Sequence, residues 1–441
     1  MNGLLVAAPP RPRGVVFGLG WSTAAQVGSA AVKLASTLLL TRLLAPESYA
    51  LLGTAMAVLT TLEWLSDFGV AAALVRHPNG ADRGWLLVGW RLNLQRGVIL
   101  AAATAAVAAP LAEFYQQPAL TGVLLALAAR PILIALRSPG TPLLRRNLEY
   151  RAVFADEMTQ AVVGSAVAFA VASITPSMGA WALVAGTLSG AFVGVLLSYK
   201  LAPFVPRWHS DPDALRELRR FGGTVMVNTI AMAVWLNMDR LLGPRFLTLE
   251  AVGWYIVACN LAAAAEALLT RKLDVYFGLL SRRPPEERVD WHRRAANRVL
   301  GWAGPVLGLA AFLAPFVVRI LYDNRYLPAG SLLSLMFVRL IVRLHGQLDF
   351  QLLLAVGTVR PATVSYILGG VAHAAGFVPL VLGFGPMGLV VSVLLSTIVV
   401  TASQCLLAPC LRGGMFTRLA ISSVWVTLGL AAGYAAGVLA G

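Results

Sequence analysis

The amino-acid sequence predicts an all-α polytopic membrane protein: about thirteen transmembrane helices in two parallel six-helix lobes around a central cavity, with one additional helix at the C-terminal end. Composition is the first observation behind this. Of 441 residues, 58% are apolar and 12% charged, whereas soluble domains run near 45–50% and about 25%. The roughly 256 apolar residues suffice for about a dozen spans of about 20 residues each. The second observation is that they fall in continuous runs without period-2 alternation, which calls for helices and not a barrel. The third is the distribution of basic residues, which alternates from loop to loop.

Taken in order, the predicted spans are Gly18 to Thr41, Tyr49 to Ala73, Leu86 to Ala109, Ala119 to Leu136, Ala152 to Ser173 and Ala180 to Ala202. They continue with Phe221 to Gly243, Glu250 to Lys272, Arg298 to Ile320, Pro328 to Val356, Ala362 to Leu382, Met387 to Cys410 and Phe416 to Leu439. Each is a mostly apolar window of about 18 residues or more. No connection exceeds about 25 residues, which is too short for a separate catalytic domain. Ahead of the first span, residues 1–17 read as a cytoplasmic tail. Their apolar run is broken by Pro9 and Pro10 and lacks a convincing cleavage site, so no secretory signal peptide is expected.

The 35 Lys and Arg outnumber the 20 Asp and Glu, for a net charge of +15. About 26 of the 35 fall in the tail and the even-numbered loops. Arg145, Arg146 and Arg151 lie in the fourth loop, Arg216, Arg219 and Arg220 in the sixth, and Arg282, Arg283, Arg288, Arg293 and Arg294 in the eighth. The opposite loops EFYQQP, SITPSMG and GFGPMG hold no Lys or Arg. This positive-inside pattern predicts a multi-pass membrane protein, N-terminus cytoplasmic and C-terminus outside. The charge excess is therefore topological, and no nucleic-acid partner is implied. Two amphipathic connectors, Arg207 to Arg220 and Arg282 to Arg298, are expected to lie against membrane lipids.

An internal repeat organises the spans. RLLAP at Arg42 to Pro46 and RLLGP at Arg240 to Pro244 end the first and seventh spans, 198 residues apart, and both spans begin with Phe-Gly, at Phe17 and Phe221. Six spans separate the copies, so both have the same orientation, which suggests parallel halves. The expected organisation is an N-terminal lobe at 18–203, an amphipathic linker at 204–220, a C-terminal lobe at 221–411 and an additional transmembrane helix at 412–441.

A charge at bilayer depth costs about 2.5–3.5 kcal/mol on insertion scales, so each needs a cavity, a partner or a function. The basic ones are Lys33, Arg130, Arg339 and Arg343; the acidic ones are Glu63, Asp67, Asp239, Glu266 and Asp349. Arg339 and Arg343 are four apart on one helical face, where like charges repel. A shared anion removes the conflict, and the guanidinium fork suits a pyrophosphate; intraprotein pairing with Asp349 or Glu266 is the competing arrangement. Lys33 lies mid-span and Arg130 precedes Pro131, where a helix kinks. Glu63 and Asp67 share the i, i+4 spacing and could exchange a proton or bind a cation, or form a salt bridge or cap near the cytoplasmic end. Asp239 and Arg240 are expected to form a polar cluster at the outer mouth. His345 and His373 read as satisfied core histidines.

Classical catalytic constellations are absent: no P-loop, GxGxxG, HExxH or GxSxG occurs, so the chain is not read as an enzyme and no cofactor is called for. Cys259, Cys405 and Cys410 show no metal spacing and read as small hydrophobes, so no metal is expected.

The stretch GLGWSTAAQVGSAAVKLASTLLLTRLLAPESYALLG, followed by LSDFGVAAALVR, resembles the start of polysaccharide transport family members of the MOP flippase superfamily, the Wzx-type O-antigen and exopolysaccharide flippases. The matching elements are Gly18 to Ser22, Leu40 to Pro46 and Asp67 to Val75, then LLRRNLEYR at Leu143 to Arg151, Asp239 with Arg240, GWY at Gly253 to Tyr255 and LLLAVG at Leu352 to Gly357. The resemblance implies a two-lobed bundle with a cationic cavity. It implies that an undecaprenyl-pyrophosphate-linked oligosaccharide moves from the cytoplasmic to the outer leaflet by alternating access, for cell-surface polysaccharide synthesis. Lys33, Arg339 and Arg343, with Arg130, would engage the pyrophosphate. Glu63 or Asp67 would couple to an ion, with Asp239, Arg240, Glu266 and Asp349 as further coupling or gating candidates. A polysaccharide polymerase complex is a candidate partner. Three other readings stay open: a MATE-like exporter of organic cations, a lipid II-type precursor flippase, and an integral-membrane glycosyltransferase or polymerase. The cations at membrane depth argue against the first, and the short outer loops against the last.

Overall fold

The computed structural model describes residues 34–66, 78–147, 149–208 and 211–412, together with residues 28, 31, 32, 70, 74 and 424. Among the described residues there is no strand, and the chain is a succession of helices. The first is α1 (Leu34–Leu43). There follow α2 (Pro46–Leu65), α3 (Arg83–Phe114), α4 (Ala119–Leu127), α5 (Ala129–Ala135), α6 (Thr141–Arg146), α7 (Tyr150–Ile174) and α8 (Ala180–Leu201). Then come α9 (Pro212–Phe246), α10 (Leu249–Ser281), α11 (Pro285–Leu321), α12 (Ala329–Val356), α13 (Arg360–Leu407) and α14 (Pro409–Arg412). The chain is a multi-pass membrane protein: α3, α7, α8, α11, α12 and α13 are each long and apolar enough to cross a bilayer. Predicted spans three to twelve coincide with helices, span one is described from Leu34, span two is described as a helix to Leu65, and span thirteen, apart from residue 424, lies outside the described residues.

Sequence signals mark where these helices start and stop. The Asp211 carboxylate accepts from the backbone N–H groups of Asp213 and Ala214, at 3.0 and 3.1 Å, with Pro212 at the first helical position of α9. Thr248 caps α10 by accepting from Ala251 N–H. Pro285, Glu286 and Glu287 open α11, and Arg319 lies in its last turn, each sign of charge at the favourable end of the helix dipole. α12 ends on Gly357, at φ 82°, and the Thr358 N–H returns to the Leu353 carbonyl at 2.9 Å, a left-handed cap that satisfies carbonyls of the last turn. Pro212 also makes residues 212–220 the first turns of α9, so this stretch of the expected linker is continuous with the span that follows it.

Two predicted spans are modified. Span four is broken between α4 and α5, just ahead of Arg130 and Pro131; proline has no N–H for the Leu127 carbonyl. Spans eleven and twelve run together as the 48-residue α13, about 72 Å of helix against a hydrocarbon core of about 30 Å. The chain reverses at Gly385, at φ 56° and ψ −135°. A Cβ on Gly388 would lie 1.8 Å from the Leu380 carbonyl oxygen, so residues on either side of the reversal touch. Gly385 has open space around it, so Gly385→Ala tests the backbone conformation alone. It is expected to cost about 1–3 kcal/mol, read as a lowered thermal midpoint in detergent; an unchanged midpoint would exclude this turn geometry.

The fold comprises two compact units. One contains Met1–Leu40, Leu62–Glu113 and Gln117–Met226; the other contains Thr41–Thr61, Phe114–Gln116 and Val227–Gly441. In the first, α7 and α8 lie backbone to backbone along Gly164, Gly186 and Gly190, the small-residue contact that membrane helices use where lipid removes the hydrophobic drive to associate. Ala214 and Leu218 at the start of α9 are buried with Val70, Leu74, Trp85, Leu86 and Val88. In the second unit, α12 is the central element and buries most of its circumference. Around it, Trp235, Leu273, Leu300, Leu348, Leu352 and Tyr366 form one core with their neighbours. Trp302, Ile320 and Leu382 are 76%, 77% and 71% exposed, an apolar outer surface that suits lipid rather than water.

The second unit also takes in the turn between the repeat's first helices. Gly253 of α10 approaches Pro46 so closely that a Cβ would lie 2.1 Å from the Pro46 carbonyl oxygen. Tyr326 donates to the Leu44 carbonyl at 2.8 Å and meets Tyr49 edge-on. Asp323, in the exposed turn before it, accepts from the Arg325 N–H and guanidinium, which holds its carboxyl below the usual range. The two repeat motifs differ in role: RLLAP ends α1 and starts α2, whereas RLLGP continues α9 to Phe246.

Candidate functional site

Among the described residues, the intramembrane charges resolve into four clusters and one further ion pair, each within one unit. In the first unit, Glu63 near the end of α2 accepts from Arg130 Nη1 at 2.6 Å, with both side chains about one-fifth exposed. Arg96 of α3 donates through Nη2 to the Glu63 carbonyl and through Nε to Ser66 Oγ at 2.9 Å. The arginine so satisfies a carbonyl in the last turn of α2, where its charge also complements the helix dipole. The break before α5 lets Arg130 reach Glu63. Asp67, expected beside Glu63, and Lys33 lie outside the described residues. Arg137 and the buried Asp156 form a second ion pair in this unit.

In the second unit, Arg343 and Arg339 stand on the same face of α12 but have different surroundings. Arg343 Nε lies 2.5 Å from Glu266 Oε1 of α10, and its guanidinium sits 5.9 Å from the Trp235 ring centroid. Gln347 Nε2 donates to the same Glu266 oxygen at 3.2 Å. Of the two arrangements open from the sequence, the structure gives Arg343 the intraprotein one. Arg339 donates to Thr397 Oγ1 at 3.4 Å and has no ion-pair partner among the described residues. Arg339 is half-buried.

The third cluster joins Asp239, Tyr255, Arg240 and Cys259. Tyr255 donates to Asp239, and Arg240 and Cys259 lie beside them. Both Asp239 and Cys259 are buried. Cys259 is thus part of a polar cluster and not the bare hydrophobe its sequence context suggests. His373 is 1% exposed, and neither ring nitrogen has a hydrogen-bond partner among the described residues. Its ring stacks on Phe377, and Asp239 and Arg339 are its charged neighbours. It is a core histidine, as expected, but not a satisfied one.

The fourth cluster surrounds Asp349, fully buried on α12. Its Oδ1 lies 2.9 Å from His292 Nε2 of α11, and its Oδ2 lies 3.4 Å from His345 Nε2 and 3.2 Å from Cys405 Sγ of α13. Asp349 therefore does not pair with either arginine. His292, Arg96, Trp235 and Thr397 were not singled out from the sequence, and Cys405 was read only as a small hydrophobe: each owes its position to a contact made across many residues of chain. Arg96 and Asp156 carried the one usable signal, a charge several residues inside an apolar span.

Comparison with known proteins places this arrangement. The family described as polysaccharide biosynthesis protein matches residues 39–331, more than half of the chain. The succinoglycan biosynthesis transport protein ExoT of Rhizobium meliloti is 24% identical over 73% of this chain and 65% of its own length. The lipopolysaccharide biosynthesis protein WzxC of Escherichia coli is 22% identical over 71% of this chain and 62% of its own length. The matched part thus spans less than two thirds of either relative. Among solved structures, the lipid II flippase MurJ in an inward closed conformation superposes with a TM-score of 0.74 at 10% identity, over 95% of this chain and 98% of that one. With its all-helical membrane fold shared with MOP-superfamily transporters, the chain belongs to the polysaccharide biosynthesis protein family.

Proposed function

We propose that this protein is a flippase that moves undecaprenyl-pyrophosphate-linked oligosaccharide units from the cytoplasmic to the outer leaflet of a bacterial inner membrane. It is a transporter and not an enzyme. Two six-helix halves, at 18–203 and 221–411, exchange access to a cationic cavity, and the N-terminus is cytoplasmic. Arg339 carries the reading: it is a half-buried guanidinium with no carboxylate partner among the described residues, and a diphosphate offers the bidentate acceptor such a group lacks. Lys33, on the first span, is the second cation. Arg343, held by Glu266, and Arg130, held by Glu63, set the field of the cavity and contact the diphosphate less directly. The names of the two relatives, both in surface-polysaccharide synthesis, support the substrate class. Glu63, Asp67, Asp239, Arg240, Glu266 and Asp349 remain the ion-coupling or gating candidates, and a polysaccharide polymerase complex the candidate partner.

The test follows a fluorescent undecaprenyl-diphosphate oligosaccharide across proteoliposomes, with lipid II and an organic cation as competing cargoes. The wild type should flip the oligosaccharide lipid, and Arg339→Ala should slow it by about 10-fold or more, the worth of a hydrogen bond to a charged group. Equal rates in Arg339→Ala and wild type would sink the Arg339 assignment. Preference for lipid II or for the organic cation would replace the substrate class.

A further inference from the structure

We propose that His345, Asp349 and Cys405 form a binding site for a divalent transition-metal ion of the zinc class. The His345 Nε2, Asp349 Oδ2 and Cys405 Sγ atoms all lie within 4.8 Å of one another, and all three residues are fully buried. Imidazole, carboxylate and thiolate are the ligand types zinc takes, at about 2.0–2.3 Å in a tetrahedron. That geometry places ligand atoms about 3.3–3.7 Å apart. The carboxylate oxygen is already 3.4 Å from His345 Nε2 and 3.2 Å from Cys405 Sγ. Small rotations of two side chains therefore complete three of the four positions. His345 and Asp349 are one turn apart on α12, which fixes their spacing, while Cys405 comes from α13.

The surroundings are those of a supported ligand set. His292 Nε2 lies 2.9 Å from Asp349 Oδ1, the oxygen that faces away from Cys405. His292 Nδ1 is 2.7 Å from the Tyr276 hydroxyl, which is 3.3 Å from the His292 carbonyl. With the tyrosine hydroxyl donating to Nδ1, the His292 Nε2–H donates to the Asp349 carboxylate, the outer hydrogen bond that orients a metal-ligating carboxylate. A divalent ion bound by one carboxylate and one thiolate is formally neutral, which removes the cost of an isolated charge at membrane depth. On binding, the Cys405 thiol proton leaves to solvent and the sulfur becomes a thiolate ligand. Such an ion would tie α12 to α13 through ligands and to α10 and α11 through Tyr276 and His292.

The full-length, tag-free protein in detergent, dialysed against micromolar zinc and then metal-free buffer, should retain about one zinc per chain by elemental analysis. Cobalt in its place should give the intense visible bands of a tetrahedral centre together with a thiolate charge-transfer band. Cys405→Ser should abolish the charge-transfer band, and His345→Ala should reduce retained zinc to less than about one-fifth of an equivalent. Gel filtration confirms that each variant is folded, and the cobalt spectrum of the wild type decides the matter should a variant fail to fold. Failure of the wild type to retain zinc, or equal retention in both variants, overturns the site. These readouts do not depend on flipping, so a negative result here leaves the transport reading untouched.

Discussion

Glu266→Gln is expected to destabilise the folded protein by about 3 kcal/mol, and the double variant Glu266→Gln with Arg343→Met to recover most of that loss. The asymmetry follows from what each change leaves behind. Removing the carboxylate strands a guanidinium between α10 and α12; removing both charges leaves an apolar thioether over Trp235. The range for breaking a buried pair from one side is about 3–5 kcal/mol, and the lower end applies because the Arg343 and Glu266 side chains keep 17% and 20% of their surface exposed. Arg339, one turn away, adds repulsion that Glu266 offsets. Thermal unfolding followed by tryptophan fluorescence reads the result, and Trp235, 5.9 Å beneath the guanidinium, reports on the site itself. A double variant no more stable than Glu266→Gln would show that the pair is not the stabilising element. A companion variant bears on transport. Arg343→Met alone leaves the coupling candidate Glu266 and an intact Arg339 in place and flips substrate; if Arg343 were the principal diphosphate contact, flipping would fall in parallel with Arg339→Ala.

The fold was legible because a bilayer imposes a one-dimensional rule: each span must be apolar and satisfy its own backbone, so span positions, the reversal at Gly385 and the break before Pro131 can all be read along the chain. The site was legible only in part, because pairing is three-dimensional. The i, i+4 rule correctly puts Arg339 and Arg343 on one face, but says nothing of which one meets Glu266, 77 residues away. Asp349 seemed a partner for those arginines by proximity on α12. Its side chain instead turns to His292, His345 and Cys405, a set that no local spacing announces because its members lie on three helices. Arg96 escaped notice for a related reason: it lies inside a span, but the groups its guanidinium caps at the end of α2 are 30 and 33 residues away in the chain.

The second large effect is expected at the α7–α8 contact. Gly186→Leu should cost about 3 kcal/mol or more, while Gly194→Ala, two turns along the same helix, should stay within about 1 kcal/mol. The two glycines face different obstacles. A Cβ on Gly186 would stand 2.5 Å from the Gly164 carbonyl oxygen and 2.7 Å from Ala168 Cβ; a carbonyl in a helix cannot retreat without moving α7. A Cβ on Gly194 would meet the end of the Gln160 side chain at 2.6 Å, which can change rotamer. In water a displaced helix could be compensated by burying the new side chain, but in lipid the leucine gains nothing by burial, so the lost close contact is not offset. Midpoints from fluorescence-detected gel filtration after heating separate the two. Comparable midpoints for Gly186→Leu and Gly194→Ala would mean that α7 and α8 do not meet along this stripe. Gly164→Ala should repeat the Gly186 defect in a milder form, since its Cβ would face the Gly186 carbonyl at 2.8 Å. Combining the two should cost less than their sum, because once the helices have parted the second obstruction is already relieved.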